Sequence, residues 1–489
     1  MQWTVADVAS ALGVEAPARA DSVARLAGVS IDSRTVRDGE LFVAIRGPRF
    51  DGHDFVAAAL QRGAVAAVVQ ADRAADYLEE VRGKLLLVGD TLHGLQALAR
   101  NYCDAWRKAK QGRRMAAITG SAGKTTTKEI LAALLAARFR VLKSEGNLNN
   151  EYGLPLTLFR LDDSHDAAVV ELGMSHRGEL ARLAEIAQPD VGVVTNVAPV
   201  HLEFFSSVDE IALAKRELIE GLGGAEPVAV LNADDPRVTK FADGFRGRVL
   251  RYGVSEKAEF RAENIEGRGM SGSAFDYESP KELVRLRLPL TGSHNVLNAL
   301  AALAAASEWG IGAAEARDVF ATLQPSSMRG EILKFASGFA VINDCYNSNP
   351  VALERMIDVL CSIPGYQRRI LVAGAWREIG PTSLELHRAA GEHIAQRHAI
   401  DWILGVDGDA EQMVRGAIDA GHSASQAKFF ASSDEAAKFL SDFVSPGDLL
   451  LVKGSRGVHM ESIAAALQAK FPLAETPSEV AHAAQERNT

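Results

Sequence analysis

Residues 115–139 read MAAITGSAGKTTTKEILAALLAARF. The opening MAAI is short and apolar, as a buried strand requires, and from Lys124 onward apolar residues recur at helical spacing. Between them lies Thr119-Gly120-Ser121-Ala122-Gly123-Lys124-Thr125-Thr126. Strand, glycine-bearing loop and helix in that order form a phosphate-binding loop, where backbone N–H groups and a helix N-terminus cradle the anion. Gly120 and Gly123 allow close approach of the backbone. Lys124 would reach the β- and γ-phosphates, and Thr125 would offer its hydroxyl to Mg2+. The longer form of this motif has a glycine at position 118, where this chain has Ile118. The loop is therefore a shortened T-G-x-x-G-K-T-T variant. Without its flanking strand and helix it would be an ordinary glycine-rich turn.

Downstream, DAAVVELGM (166–174), VGVVTNVAP (191–199) and PVAVLNADD (227–235) are apolar, β-branched strands separated by helical patterns. That alternation predicts a parallel sheet with crossovers. From about 245 to 290 the pattern shortens, and VLRYGV (249–254) and LVRLRLPL (283–290) are expected to be antiparallel. NVLNALAALAAASEWG (295–310) reads as a helix ending at Gly310. Upstream, VARLAGVSIDSR (23–34) is expected to be helical, with ELFVAIRG, GAVAAVVQ and KLLLVGD as strands. DFVAAALQRG and residues 91–110 are expected helices, and RKAKQGRR (107–114) a basic linker. Beyond Gln324-Pro325, four strand-like runs alternate with helices: FAVINDCYNSNP, RRILVAGAW, AIDWILGV and DLLLVKGSRG.

The expected fold class is α/β with three domains. Residues 1–110 form a small α/β unit, 111–324 the central parallel-sheet unit with the phosphate loop, and 325–475 a Rossmann-like α/β unit. Residues 476–489 form a polar tail. A length of 489 residues agrees with this, at roughly 150 residues per domain. Apolar residues at 47% and charged residues at 24% exclude a wholly disordered chain. A net charge of −10 argues against a nucleic-acid partner, so any phosphate site must be local. No apolar run approaches the roughly 18 residues of a membrane span. Asp7 interrupts the N-terminus, which has no basic, apolar signal pattern. Three unpatterned cysteines, Cys103, Cys345 and Cys361, argue against disulfides or a zinc site and fit a reducing cytoplasm.

Glu171 ends the strand AAVVE, where an acid faces the ligand crevice of a parallel sheet and suits Mg2+. His201 follows another strand end; alone, such a histidine is more often structural. The next helix opens with a capping box, Ser207-x-x-Glu210. On it, Lys215 shares a face with Ile211, Leu218 and Ile219. A lysine in an apolar stripe either snorkels or is chemically altered. A desolvated neutral amine would accept CO2 and become a metal-binding carbamate.

TGSAGKTTTKE, ELGM, NVAPVHLEFF, the helix carrying Lys215, GSHNVLNALAA, DCYNSNP and LVKGSRG together resemble the ATP-dependent Mur ligases of peptidoglycan synthesis. They stand in family order along nearly the whole chain. SIDSRTVRDGELFVAIRGPRFDGHDFV (30–56), SEGNLNNEYGLPLTL (144–158) and INDCYNSNP point to the branch that joins D-alanyl-D-alanine to UDP-N-acetylmuramoyl-tripeptide. The diaminopimelate-adding branch would carry a DNPR-type motif where this chain has Asn347-Ser348-Asn349-Pro350. The resemblance implies that ATP phosphorylates the tripeptide carboxylate, and that the dipeptide amine attacks the acyl phosphate.

It also implies roles. Gly120, Ser121, Ala122, Gly123, Lys124, Thr125 and Thr126 would hold ATP, with Asn295 and Asn298 on the adenine side. Arg329 and Asp344 would reach phosphate and ribose from the third unit. Glu171 would hold one Mg2+, His201 a second, and Lys215 stands where several members carry a carbamylated lysine. Lys124, His201 and Lys215 form the expected catalytic set. Asp32, Ser33 and Arg34, with Phe42 and Arg46, resemble a uridine-nucleotide pocket. Asn147, Asn149 and Asn150 resemble the loop meeting the peptide or UDP-sugar. Asn347, Asn349, Lys453, Ser455 and Arg456 are candidates for the dipeptide side, where a carboxylate needs a cation. One segment departs from the pattern: where the family reads more like Gly-Asp-Met-x-Glu-Leu-Gly, this chain has Ala373-Gly374-Ala375-Trp376-Arg377-Glu378-Ile379-Gly380-Pro381.

Folylpolyglutamate synthase shares the phosphate loop, acid and histidine, but lacks a separate UDP-binding domain. A P-loop switch or transport ATPase would want the full Walker spacing and an Asp-ended second strand. A non-catalytic nucleotide scaffold would not need Lys124, Thr125, Glu171 and His201 together. The implied enzyme is a cytoplasmic monomer without a membrane segment.

Overall fold

The computed structural model describes residues 3–23, 25–200, 202–396 and 399–474. The expected polar tail and His201 therefore lie outside the described residues.

Three sheets organise the chain. The first contains four parallel strands in sequence order: Gly28–Ser30, Glu40–Val43, Ala66–Gln70 and Leu85–Val88. The stretch 23–34, expected to be helical, instead carries the first of these strands. Val29 pairs with Leu41, and the N-terminal helix is Val5–Leu12, capped by Thr4 and Asp7.

The central sheet has nine strands. The phosphate-loop strand Arg114–Thr119 lies between Ala167–Glu171 and Val191–Val194 and is parallel to both. The chain runs first to one side of this strand and then to the other, which opens a crevice at the strands' carboxyl ends. Met115 and Ala117 face one core, whereas Ala116 and Ile118 face the other. This period of two explains why the strand is apolar throughout: helices cover both faces. VLRYGV differs from expectation. Strand Arg248–Gly253 is parallel to Val228–Asn232, because the intervening helix Pro236–Thr239 carries the chain back to the sheet's start. LVRLRLPL is as expected: Leu283–Leu288 is antiparallel to Ser273–Glu278, which is also antiparallel to Phe260–Gly267 on its other side. Helix Ser293–Ala306 packs on this sheet, and its last turn stops at Gly310, whose φ of 74° is left-handed.

The stretch expected as a linker is anchored. Helix Thr91–Ala109 buries Tyr102, Cys103 and Trp106 against central-sheet residues such as Met115 and Ala168. Arg107 pairs with Asp190 at 2.8 Å, and the Arg113 guanidinium lies 5.2 Å from the Trp106 ring centroid. Arg107 and Arg113 are consumed in packing, whereas Lys108 and Lys110 stay exposed, Lys110 paired with Asp166 at 2.6 Å.

The third sheet runs Glu331–Lys334, Ala340–Asn343, Asp448–Lys453, Arg368–Gly374, Trp402–Val406, Ala427–Phe430. It is parallel except for its first, edge strand. No helix among the described residues is long and apolar enough to cross a membrane.

Candidate active site

The phosphate loop turns between Thr119 and Lys124, where helix Lys124–Ala136 begins. Gly120 has φ 147° and Gly123 φ 86°. A Cβ on Gly120 would lie 1.8 Å from Thr195 Oγ1, and one on Gly123 2.2 Å from Asn298 Oδ1. Neither position accepts a side chain. Ile118, where a longer motif places glycine, is fully buried in the strand. The loop is braced from the neighbouring strand end. Ala122 N–H donates to Asn196 Oδ1 at 3.0 Å, and Thr195 Oγ1 donates to Ala122 O at 2.6 Å.

Lys124 Nζ donates to Gly120 O at 2.8 Å. Burial lowers its pKa, opposed by the charge of Glu171. Thr125 Oγ1 donates to Glu171 Oε2 at 2.6 Å, and Asn149 Nδ2 donates to Glu171 Oε1 at 2.9 Å. Glu171 is 4% exposed and Thr125 7%. These hard oxygens beside a phosphate loop fit Mg2+, which keeps waters and takes its remaining ligands from substrate phosphates. Among the described residues no cluster of three His, Cys, Asp or Glu side chains offers a protein-only cage.

Asn295 and Asn298 stand one turn apart under the loop. Asn298 Nδ2 donates to Asn295 Oδ1 at 3.0 Å, and Asn295 Nδ2 donates to Thr291 O at 2.8 Å. Across the crevice, Arg329 stacks on Tyr346 at 4.1 Å, and Asp344 pairs with Lys453 at 2.6 Å. Asn349 Oδ1 accepts from Ala352 N at 2.8 Å and so caps helix Pro350–Ser362. Together these elements enclose a cleft of about 370 Å³. It is lined by Ser121, Ala122, Gly123, Lys124, Thr125 and Thr126, and by Asn149, Asn150, Glu171, Asn295 and Asn298. From the third unit come Arg329, Asp344, Asn347, Asn349 and Lys453.

Other expected residues lie elsewhere. Lys215 is 2% exposed on helix Val208–Glu220 and does not line the cleft. Burial drives its pKa well below the ordinary lysine value, and the charge of Lys124 adds to the effect. The capping box on that helix is shifted: Ser207 Oγ accepts from Glu210 N, but the Glu210 carboxylate accepts from Ser206 N. Ser455 is buried behind the cleft, and its Oγ accepts from Arg377 N at 3.0 Å. Arg456 pairs with Glu461 at 3.1 Å and is not a lining residue. Asn147 is exposed and outside the lining.

In the N-terminal unit, Arg34 forks onto Asp32 at 2.7 and 2.9 Å, and this pairing holds the Asp32 carboxyl at about 2. Ser33 is half-buried beside them, and Arg46 is exposed, 3.4 Å from Asp51. Phe42 requires a correction. It is 1% exposed and packs with Val36, Val56 and Ala59, so its ring belongs to the core and not to a ligand surface. Alternate residues of its strand point to opposite faces, and both faces are covered: Leu41 and Val43 meet one core and Phe42 the other.

The cleft also holds residues not singled out from sequence, among them Ser175, Glu179, His294, Tyr346 and Arg355. Burial, together with Arg355 and Lys453, pushes the His294 imidazole down to about 3, so it is neutral. Ala352, Arg355 and Met356 line the cleft at i, i+3, i+4 spacing after the Asn349 cap, a pattern visible in the sequence once the cap is placed. The two units also meet at Glu203, whose N–H donates to Glu378 O at 3.4 Å.

Three family descriptions match the chain: "Mur ligase family, catalytic domain" at residues 25–103, "Mur ligase middle domain" at 118–306, and "Mur ligase, glutamate ligase domain" at 328–456. The UDP-N-acetylmuramoyl-tripeptide–D-alanyl-D-alanine ligase of Bacillus subtilis (strain 168) is 33% identical over 436 residues, 89% of this chain and 92% of the relative. That of Escherichia coli (strain K12) is 34% identical over 447 residues, 91% and 94% of the two chains. A crystal structure of MurF from Acinetobacter baumannii superposes with TM-score 0.84 at 29% identity, covering 96% of this chain and 99% of that one. MurF ligase from Thermotoga maritima in complex with ADP superposes with TM-score 0.78 at 29% identity, covering 91% and 97%. With matches of this extent, the chain belongs to the Mur ligase family.

Proposed function

We propose that this chain is an ATP-dependent amide ligase that joins D-alanyl-D-alanine to the peptide carboxylate of UDP-N-acetylmuramoyl-tripeptide, in the synthesis of peptidoglycan precursors. One observation carries this reading: a single cleft is lined on one side by the phosphate loop with Glu171, and on the other by Arg329, Asp344 and the Asn347–Asn349 turn. Relatives bearing that ligase's name align along nine-tenths of the chain.

Lys124 and the loop N–H groups hold the ATP phosphates and stabilise charge as the γ-phosphoryl group moves to the tripeptide carboxylate. The dipeptide amine then attacks the acyl carbon, and phosphate leaves as the amide forms. The cleft walls exclude water, which would otherwise hydrolyse the acyl phosphate. Thr125 and Glu171 would hold Mg2+, which when bound offsets the negative charge of the phosphates. The N-terminal unit, with Ser33, Arg34 and Arg46, holds the UDP-sugar. The enzyme works as a monomer in the cytoplasm, where both nucleotide substrates are available.

Lys215 is carbamylated in this reading: its neutral amine adds CO2, loses a proton and becomes a carboxylate able to serve a second Mg2+ with His201. Support comes from its burial on an apolar helix face with a strongly lowered pKa.

Phosphate release is measured with ATP, Mg2+ and the UDP-tripeptide, with and without D-alanyl-D-alanine. Release that needs both substrates, with a UDP-pentapeptide product seen by mass, is expected. Release indifferent to both would make the chain an NTPase instead. Release with a different amine would place it in another branch of the family.

A further inference from the structure

The departure at Ala373–Pro381 puts a tryptophan behind the Asn347–Asn349 turn. Trp376 is 3% exposed and does not line the cleft. Its indole Nε1–H donates to Ser348 Oγ at 3.0 Å. Its backbone N–H donates to His387 Nε2 at 3.0 Å, and its ring packs on that imidazole with centroids 4.4 Å apart. His387 Nδ1 lies 2.8 Å from Ser383 O, so the proton sits on Nδ1 and Nε2 is the acceptor. Burial lowers the pKa of His387 and keeps it in that neutral form. Trp376 is thus clamped from behind by helix Ser383–Ala395 and reaches forward to the turn.

The turn has two further braces. Ser455 Oγ donates to Ser348 O at 3.4 Å, and Lys453 Nζ donates to Asn347 O at 3.0 Å. Asn347, Ser348 and Asn349 all line the cleft. A methionine at position 376 has no donor, so it would leave Ser348 Oγ without this anchor.

We infer that Trp376 is a positioning residue for the amine substrate: by fixing Ser348 it sets how the Asn347–Asn349 turn faces the cleft. It acts through Ser348 and never touches the dipeptide. This inference rests on the ligase reading above and adds to it one residue that tunes dipeptide affinity.

The test compares W376F, W376M, S348A and the W376F/S348A double variant with the wild-type chain. Steady-state kinetics are run with each of the three substrates varied in turn. Losing one neutral hydrogen bond is worth about fivefold, so the KM for D-alanyl-D-alanine should rise by about that factor in each single variant. The double variant should rise no further than either single one, because both remove the same bond. The KM values for ATP and UDP-tripeptide should stay within about twofold, since neither site includes the bond. KM does not depend on the fraction of active enzyme, so partial misfolding cannot imitate this pattern. An unmoved dipeptide KM, an equal rise in all three KM values, or fully multiplicative effects in the double variant would overturn the role of Trp376. Failure of the wild-type chain to use D-alanyl-D-alanine at all would instead sink the ligase reading with it.

Discussion

Lys453 Nζ lies 2.6 Å from Asp344 Oδ2, joining the ends of two neighbouring parallel strands, Ala340–Asn343 and Asp448–Lys453. Lys453 is 3% exposed. Its charge is matched within the protein, so it is not a free cation awaiting a substrate carboxylate. Removing the lysine leaves the Asp344 carboxylate, partly exposed at the cleft, without its cation, at a cost of up to about 3 kcal/mol. Lys453→Met should therefore lower unfolding free energy by up to about 3 kcal/mol in urea titrations. Adding Asp344→Asn should recover most of that loss. If the two substitutions were simply additive, the pair would not be the structural tie described here.

Lys124 makes a different prediction. It is half-buried, and its Nζ is held by one loop carbonyl, Gly120 O, with no carboxylate paired to it among the described residues, so stability owes it little. Lys124→Ala should lower kcat by at least about a hundredfold, the scale of losing one preorganised charge at a phosphoryl group. Its melting temperature should match or slightly exceed the wild-type value. A variant that both melts early and retains turnover would place the lysine in the scaffold, not in catalysis.

Glu171 is oriented by two donors, Thr125 Oγ1 and Asn149 Nδ2. Glu171→Gln keeps the shape but removes the charge that favours a hard cation. The Mg2+ concentration for half-maximal phosphate release should rise at least about tenfold. Asn149→Ala, which only loosens the orientation, should show a rise of about tenfold or less. An unchanged Mg2+ dependence in Glu171→Gln would exclude it as a ligand.

Lys215 links stability to pH. Its folded-state pKa lies well below the ordinary 10.5, so between those two values the unfolded chain binds the extra proton. Unfolding free energy should climb with pH through that window, by up to about 1.4 kcal/mol per pH unit from this group. In CO2-free buffer, Lys215→Met should flatten that slope and raise stability near neutral pH. In the activity assay, Lys215→Ala should lose turnover, and added short-chain carboxylates should restore part of it. Loss without rescue would argue against a carbamate.

How much was readable in advance follows from how local each feature is. The phosphate loop needs only consecutive residues: a strand, two glycines at fixed places, and a helix start. Tight contacts at Gly120 and Gly123 then show why no other residue stands there. Glu171 was readable because a strand end in a parallel sheet has a known destination. The sequence of VLRYGV does not separate a parallel from an antiparallel strand, because apolar alternation is the same in both; only the path of the chain between strands decides. The motif around Phe42 points to a ligand surface, whereas packing covers both faces of its strand and leaves the ring in the core.

By itself the sequence determined the class of protein. The order of strands and helices, the phosphate loop and the apolar faces each depend on neighbours a few residues away, where propensity and periodicity act. Tertiary structure alone decided which charges are already satisfied and which polar groups reach the cleft. Lys453 meets Asp344 across 109 positions and Trp376 meets Ser348 across 28. Such contacts are set by packing between elements, so no local pattern records them, and they decide which of several plausible cations and hydroxyls are free to act.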